Sequence, residues 1–205
     1  MKLPGLVVFI TGGASGLGEA TARYLLAQGC KVSIADMNVE RMTALTNELG
    51  NVNFATFKCD VTEEEQVKAA VNGTAERFGT INVALACAGV AWPSLTLSSK
   101  KSLDTDHFKK VFAINVFGGV YVAKYASVIM SKNKPFNEEG ERGVLLFVSS
   151  IAGQEAQRGQ VAYGSSKGAI NGMMMPMARD LGRFGIRAAA IAPGLFATPL
   201  LLGMP

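Results

Sequence analysis

A glycine-rich turn near the N-terminus constrains the fold of this chain more than any other feature. The apolar segment at residues 6–10 runs into the sequence TGGASGLG at residues 11–18, and a helical pattern begins at Gly16. Glycine tolerates positive φ angles and lets another backbone approach closely. Glycines at positions 12, 16 and 18 therefore predict a tight turn that joins a buried strand directly to a helix.

The rest of the chain repeats this alternation of apolar runs and longer helical patterns. Such alternation predicts an α/β fold, namely a Rossmann-type doubly wound parallel sheet in three α/β/α layers. Residues 90–104 and 131–142 are expected to be loops, and the second, rich in charge, to be a solvated surface excursion. The predicted strands are residues 6–10, 31–35, 53–58, 81–86, 144–148 and 187–192, and the predicted helices are residues 16–28, 39–49, 63–78, 108–130 and 162–184.

Composition and charge exclude several classes of protein. The chain is 49% hydrophobic and 18% charged, which is typical of a globular protein. Its net charge of +4 is spread without a basic run, so no nucleic-acid interface is predicted. The sequence has no run of 18 apolar residues, so no membrane span is predicted. The single histidine, His107, lies far in sequence from any candidate nucleophile, which argues against a serine or cysteine hydrolase.

The glycine turn and the acid after the second strand together favour a dinucleotide. Backbone amides at a helix N-terminus suit a pyrophosphate, because the helix dipole adds a favourable field. Asp36 follows Gly18 by 18 positions, where a carboxylate accepts hydrogen bonds from both adenosine ribose hydroxyls. A 2′-phosphate would face that carboxylate, and Ala14 and Met37 offer no positive charge, so NAD is preferred over NADP. The alternative is that Asp36 is only a capping or surface residue.

A second constellation lies near the last predicted helix. Tyr163 and Lys167 are four residues apart and so lie on one helical face. Free tyrosine ionises near pH 10 and is a poor base, but an ammonium at about 4 Å stabilises the ionised form by several kcal/mol at an effective dielectric of about 20. The strand before them ends in Ser149-Ser150, which offers a hydroxyl donor for a substrate oxygen. Alone, such a Tyr/Lys pair is more often a surface helix pair.

These motifs, in this order along nearly the whole chain, resemble the short-chain dehydrogenase/reductase family. Cys87-Ala88-Gly89, Asn115 and Pro193-Gly194 complete the pattern. Residues 10–18, 178–181 and 191–196, and the loop at residues 131–142 with its ending at residues 141–144, are similar to the type II 3-hydroxyacyl-CoA dehydrogenase branch, also described as a multifunctional 17β-hydroxysteroid dehydrogenase group.

The resemblance implies a role for each candidate catalytic residue. Tyr163 is the general acid/base, and Lys167 stabilises its ionised form and binds the nicotinamide ribose. Ser150 is preferred over Ser149 for positioning the substrate oxygen, because it precedes Tyr163 by 13 residues. Asn115 would bind a water that links Lys167 to solvent, although it could also be a polar residue that satisfies a buried helix turn.

The resemblance also implies the residues that line the cofactor and the substrate. Gln157 and Gln160 either face the substrate or are solvated loop residues. Cys87 replaces the usual asparagine of its motif and is interpreted as a small buried residue, not a nucleophile. The expected cofactor site consists of Gly12, Ser15, Gly16, Leu17, Gly18, Asp36, Asp60, Val61, Cys87, Ala88, Gly89, Tyr163, Lys167, Ile191, Pro193, Gly194, Phe196 and Thr198.

The expected function is NAD-dependent interconversion of a secondary alcohol and a ketone. The small-molecule substrate would be a 3-hydroxyacyl-CoA thioester or a hydroxysteroid. The alternative is a catalytically weak dehydrogenase-like subunit with a structural role in a larger assembly. The resemblance further implies a homotetramer in the mitochondrial matrix, with the cytoplasm as the alternative location.

The C-terminal end of the chain generates a separate expectation. Residues 1–205 are expected to form a single NAD-binding Rossmann domain that is short for the family. Family members continue through a substrate-covering segment, another strand and a helix. Without them, the predicted strand at residues 187–192 would be an edge protected by little charge. We therefore expect a longer polypeptide, or another chain that covers this edge.

Overall fold

Six strands and eight α-helices build the fold, in a computed structural model that describes residues 2–203. The strands are β1 (Val7–Thr11), β2 (Lys31–Asp36), β3 (Phe54–Lys58), β4 (Val83–Ala86), β5 (Gly143–Val148) and β6 (Ile186–Ile191). The helices are α1 (Gly16–Ala27), α2 (Val39–Leu49), α3 (Glu64–Phe78), α4 (Thr105–Phe112), α5 (Gly118–Met130), α6 (Ala152–Glu155), α7 (Val161–Gly182) and α8 (Pro199–Leu202).

The strands form one parallel sheet in the order β3-β2-β1-β4-β5-β6. β1 pairs with β2 on one side and with β4 on the other, so the strand order reverses beside β1. A crevice opens outside the carboxyl ends of the strands at such a reversal, and ligands bind there in open α/β sheets. The predicted Rossmann-type α/β fold is thus confirmed, and the position of its crevice follows from the strand order.

Both faces of the sheet are covered, which explains why its central strands are apolar without alternation. All five residues of β1 are buried. Phe9 belongs to one core cluster, with Phe147, and Ile10 belongs to the other, with Ile34 and Phe54. Successive side chains of a strand point to opposite faces, so a strand covered by helices on both sides needs apolar residues at every position.

The predicted helix at residues 108–130 begins earlier than expected and is interrupted. Asp104 caps α4, because its carboxylate accepts hydrogen bonds from the backbone amides of Asp106 and His107. A π-helical segment, Ala113–Phe117, separates α4 from α5. Such segments occur frequently at functional sites. The short helices α6 and α8 were not predicted, and each of the six strands differs from its predicted bounds by one or two residues.

The description of residues 131–142 as a solvated excursion is wrong for part of the loop. The Asn133 side-chain amide donates to the carbonyls of Ile81 and Arg142, at 2.8 and 3.0 Å. Phe136 is half-buried and packs against the core cluster that contains Ile10 and Ile34. Charged residues dominate the loop in sequence, but one amide and one aromatic ring attach it to the sheet.

By length and composition alone, the helical run Thr105–Met130 could cross a membrane. Val122, Ala126 and Met130 are buried in the core cluster that contains Phe9 and Phe147. Packing against the sheet therefore accounts for the apolar inner side of this run.

Asn133→Ala tests the attachment of this loop. The variant leaves the buried Ile81 carbonyl without its side-chain donor, so we expect a loss of about 1–3 kcal/mol in the free energy of unfolding. Lys134→Ala, at an exposed position in the same loop with no side-chain hydrogen bond or ion pair among residues 2–203, is the control and should cost less than about 0.5 kcal/mol. Urea unfolding measures both. Equal losses in the two variants would show that Asn133 is not an anchor.

Candidate active site

One cavity of about 1070 Å³ lies at the carboxyl ends of the strands. It contains the glycine turn and Asp36 at one end and Ser150, Tyr163 and Lys167 further along. All the residues predicted for the site line this cavity except Asn115 and Ile191. Ile191 ends β6 with a half-exposed side chain, so the structure does not place it among the cavity residues.

The glycine turn brings three pieces of backbone into contact. Gly12 has a φ of 67°, and a Cβ atom there would lie 2.8 Å from the backbone of Ala88. A Cβ at Gly18 would lie 2.1 Å from the carbonyl oxygen of Gly12. The first amides of a helix lack partners within it, and Ser15 caps none of those in α1 with its side chain. The turn therefore has both the space and the free donors that a pyrophosphate needs.

Asp36 is fixed by the backbone on both sides. One carboxylate oxygen accepts from the amide of Ala14 and the other from the amide of Asn38, each at 3.0 Å. A carboxylate oxygen has two lone pairs, so each retains one acceptor position. Asp36 can thus accept two further hydrogen bonds from a ligand in the cavity, and its rotamer is already set.

Tyr163 and Lys167 meet at the start of α7. The Lys167 ammonium is buried, donates to the carbonyl of Val148 at 2.7 Å, and lies 5.5 Å from the centroid of the Tyr163 ring. Burial lowers the pKa of Lys167 to about 8, because the charged form loses its hydration. Lys167 is therefore still charged at neutral pH, and its ammonium lies beside the ring whose hydroxyl it is predicted to activate.

The two serines at the end of β5 have different surroundings. The Ser149 hydroxyl donates to Asn171 Oδ1 at 2.7 Å and lies 3.1 Å from the carbonyl of Lys167. The Ser150 hydroxyl accepts from the amide of Ala152 at 3.1 Å, and its proton has no acceptor among residues 2–203. Both serines line the cavity, but the Ser149 hydroxyl is engaged by Asn171 on α7, whereas Ser150 has a hydroxyl hydrogen to donate. This arrangement supports the choice of Ser150.

Asn115 occupies the π-helical segment beside the cavity and has a bridging position. Its side-chain amide donates to the carbonyl of Val90 and to the hydroxyl of Ser166, both at 3.0 Å. Its side-chain oxygen accepts from the amide of Val90 at 2.8 Å. These bonds attach the segment after β4 to α7, so Asn115 is a buried polar residue with a structural role, but the backbone that it satisfies is that of Val90 and not a helix turn. Its predicted role in binding a water stays a prediction.

Two hydroxyls near the site escaped the sequence analysis. Ser166 is fully buried and donates to the carbonyl of Tyr163 at 2.7 Å while it accepts from Asn115. The hydroxyl of Thr11 accepts from the amides of Cys87 and Ala88, at 3.3 and 3.4 Å. The only sequence signal for them is their position next to a motif residue. That signal does not reveal which backbone groups they satisfy.

Cys87 and the glutamines show how the cavity wall is built. Burial raises the pKa of the Cys87 thiol to about 11, which suits a small packed residue and not a nucleophile. Gln160 Oε1 accepts from the amide of Gln157 at 3.0 Å and closes a turn in which Gly159 has a φ of 85°. Both glutamines line the cavity, although part of Gln160 is engaged in this turn.

The sequence matches the short chain dehydrogenase family over residues 6–203. The chain belongs to this family. It is 44% identical over 207 residues to the 3-hydroxyacyl-CoA dehydrogenase type-2 of Rattus norvegicus, and 43% identical over 206 residues to the Homo sapiens protein of that name. In both cases all of this chain aligns with 78% of the relative.

A solved structure supports the same assignment. The crystal structure of 3-hydroxyacyl-CoA dehydrogenase type-2 from Mycobacterium avium superimposes with a TM-score of 0.90 at 36% identity, and the match covers 98% of this chain and 80% of that one. This short-chain dehydrogenase is therefore an oxidoreductase, and the family resemblance of the sequence is confirmed.

Lys167→Met tests the burial of the ammonium in this short-chain dehydrogenase. The folded pKa of about 8 lies below the ordinary 10.5, so between these pH values the unfolded chain binds more protons. The stability of the wild type relative to Lys167→Met should therefore rise by about 3 kcal/mol from pH 8 to pH 10.5. Urea unfolding across this range measures it. For the exposed Lys109→Met, the difference in the free energy of unfolding from the wild type should not change with pH. If the difference for Lys167→Met also does not change with pH, the ammonium of Lys167 carries no burial cost.

Proposed function

We propose that this short-chain dehydrogenase interconverts a secondary alcohol and a ketone with NAD, and that its substrates are 3-hydroxyacyl-CoA thioesters. One observation carries the proposal. Tyr163 and Lys167 line the same cavity as the glycine turn and Asp36, so acid/base groups and a dinucleotide cradle share one space.

The residues of the cradle fit NAD. The carboxylate of Asp36 retains two acceptor positions, which suit the two hydroxyls of an unmodified adenosine ribose. A 2′-phosphate would bring its negative charge next to this carboxylate. Met37, which also lines the cavity, offers no compensating positive charge. These contacts support NAD over NADP.

The side chains around Tyr163 account for the proton transfer. Bound NAD supplies the acceptor for the hydride that leaves the alcohol carbon. Ionised Tyr163 takes the proton of the substrate hydroxyl, and the Lys167 ammonium at its ring stabilises the ionised form. Ser150 donates its free hydroxyl hydrogen to the substrate oxygen and so fixes that oxygen near Tyr163. In the reverse direction Tyr163 returns the proton to the ketone oxygen.

A charged side chain on the cavity wall supports an acyl-CoA substrate over a hydroxysteroid. Leu195, Phe196, Leu200 and Leu201 give the cavity an apolar wall, which suits an acyl chain. Arg158 also lines it and forms no ion pair among residues 2–203. An arginine binds phosphate oxygens well, and CoA carries phosphates, whereas a hydroxysteroid carries no charge for it.

We further propose a homotetramer located in the mitochondrial matrix. Exposed apolar side chains support self-association: Phe117 and Val128, from the π-helical segment and α5, are both more than half exposed. The location rests on resemblance to the family branch alone. Sedimentation of the purified protein and fractionation of cells test the two parts.

Tyr163→Phe tests the proposed chemistry. The variant removes the acid/base hydroxyl but keeps the ring, so turnover of 3-hydroxybutyryl-CoA with NAD should fall by at least about 100-fold. NAD affinity should stay nearly unchanged. Tyr24→Phe, at an exposed position on α1, is the control and should keep full turnover. Normal turnover by Tyr163→Phe would contradict the proposal.

The cofactor preference is tested by titration with both nucleotides. The wild type should bind NAD at least about tenfold more tightly than NADP, or about 1.4 kcal/mol. Asp36→Ala removes the ribose acceptor and the repulsive charge, so it should narrow this difference. Equal affinities of the wild type for the two nucleotides would show that Asp36 does not select the cofactor.

A further inference from the structure

An ion-pair network lies beside Asp36 and has no part in the proposed chemistry. It consists of Glu19 and Arg23 on α1 and of Arg41 and Glu48 on α2. Arg41 donates to both carboxylate oxygens of Glu19, from Nη2 at 2.5 Å and from Nε at 3.2 Å. Arg23 Nε donates to the same Glu19 at 2.9 Å, and the guanidinium of Arg23 makes two bonds to Glu48. Both arginines are thus engaged by carboxylates.

Glu19 and Arg41 lie in the first turns of α1 and α2, next to the backbone amides that bind Asp36. Asn38, the N-cap of α2, donates its amide to Asp36 and accepts the amide of Arg41 with its side chain at 2.9 Å. Ala14, just before α1, donates to the other oxygen of Asp36, and Glu19 lies in the first turn of α1. The backbone amide of Arg41 is therefore two hydrogen bonds away from the carboxylate of Asp36.

Glu19 is well placed to immobilise the Arg41 side chain. Its side chain is only 16% exposed. Burial alone would raise the pKa of Glu19, but hydrogen bonds and charge from Arg41 and Arg23 outweigh it and lower that pKa below the ordinary value. Glu19 is thus ionised near neutral pH. A carboxylate that accepts two bonds from one guanidinium fixes its direction as well as its charge.

We propose that Glu19 is a second determinant of cofactor specificity, which acts by holding Arg41 away from the 2′-phosphate of NADP. An arginine near the ribose acid is what accommodates this phosphate in dinucleotide sites. This chain has an arginine five residues after Asp36, but the carboxylate of Glu19 on α1 binds its guanidinium. Glu19 is a positioning residue that acts through Arg41, and the inference rests on the proposed use of NAD.

Glu19→Gln tests the inference. The variant removes the charge that retains Arg41 while keeping the size of the side chain. Its affinity for NADP should rise by about tenfold, or about 1.4 kcal/mol, and its affinity for NAD should stay within about twofold of the wild type. Isothermal titration calorimetry with each nucleotide at low ionic strength measures both. The gain for NADP should shrink in high salt, because it is electrostatic.

Two further variants separate positioning from loss of structure. Glu48→Gln removes the same kind of charge from the same network but releases only Arg23, so its ratio of NADP to NAD affinity should equal that of the wild type. Glu19→Gln combined with Arg41→Ala should return the NADP affinity to the wild-type value. Glu19→Asp keeps the charge but shortens its reach, so it should give an intermediate gain even if Glu19→Gln folds poorly.

Each outcome decides one claim. An unchanged affinity ratio in Glu19→Gln and Glu19→Asp overturns the role of Glu19. A gain that persists without Arg41 overturns the role of Arg41. A wild type that binds NADP as tightly as NAD overturns the proposed cofactor instead, and the shift between wild type and Glu19→Gln still reports on Glu19 in that case.

Discussion

The close approach of three backbone segments at the carboxyl end of β1 is the constraint on which the rest of the structure depends. Gly12 contacts Ala88, after β4, and Gly18 brings α1 against Gly12; neither contact has room for a Cβ atom. β1 lies between β2 and β4, so this contact fixes where α1 begins relative to both halves of the sheet. The cavity, the free amides of α1 and the bond from Ala14 to Asp36 all follow from that position.

The proposed chemistry rests on a charge that the fold stabilises poorly. Lys167 is buried with one carbonyl partner, that of Val148, and its pKa is lowered to about 8. A buried ammonium with few partners is costly, but it interacts strongly with a neighbouring tyrosine that becomes negative. The bonds from Asn115 and Ser166 hold the surrounding segments in place, so α7 does not relax away from this charge.

Charged groups divide the cavity into two ends. Asp36 marks the proposed adenosine end, and the carboxylates of the Glu19 network pair with the arginines of α1 and α2. Arg158 lies on the cavity wall with no ion pair among residues 2–203 and is available to an anionic substrate. Arg23 and Arg41 are thus paired with carboxylates, whereas Arg158 on the cavity wall has no such partner. This difference follows from the partners that the helices supply, and it is invisible in the composition of the chain.

The sequence alone predicts the α/β fold, the glycine turn, Asp36 and the Tyr163/Lys167 pair, because these depend on local spacing and on apolar periodicity. Glycines at positions 12 and 18 indicate a tight turn, and a four-residue spacing in a helix places two side chains on one face. Both can be recognised without the tertiary structure. The π-helical interruption at Asn115, the attachment of the loop by Asn133, the different partners of Ser149 and Ser150, and the capture of Arg41 by Glu19 depend on the tertiary structure. Asn133 and Ile81, Ser149 and Asn171, and Glu19 and Arg41 are each more than 20 residues apart in the chain. Each of these polar side chains has several possible partners in the sequence, and only the packing of the folded chain decides which one it bonds.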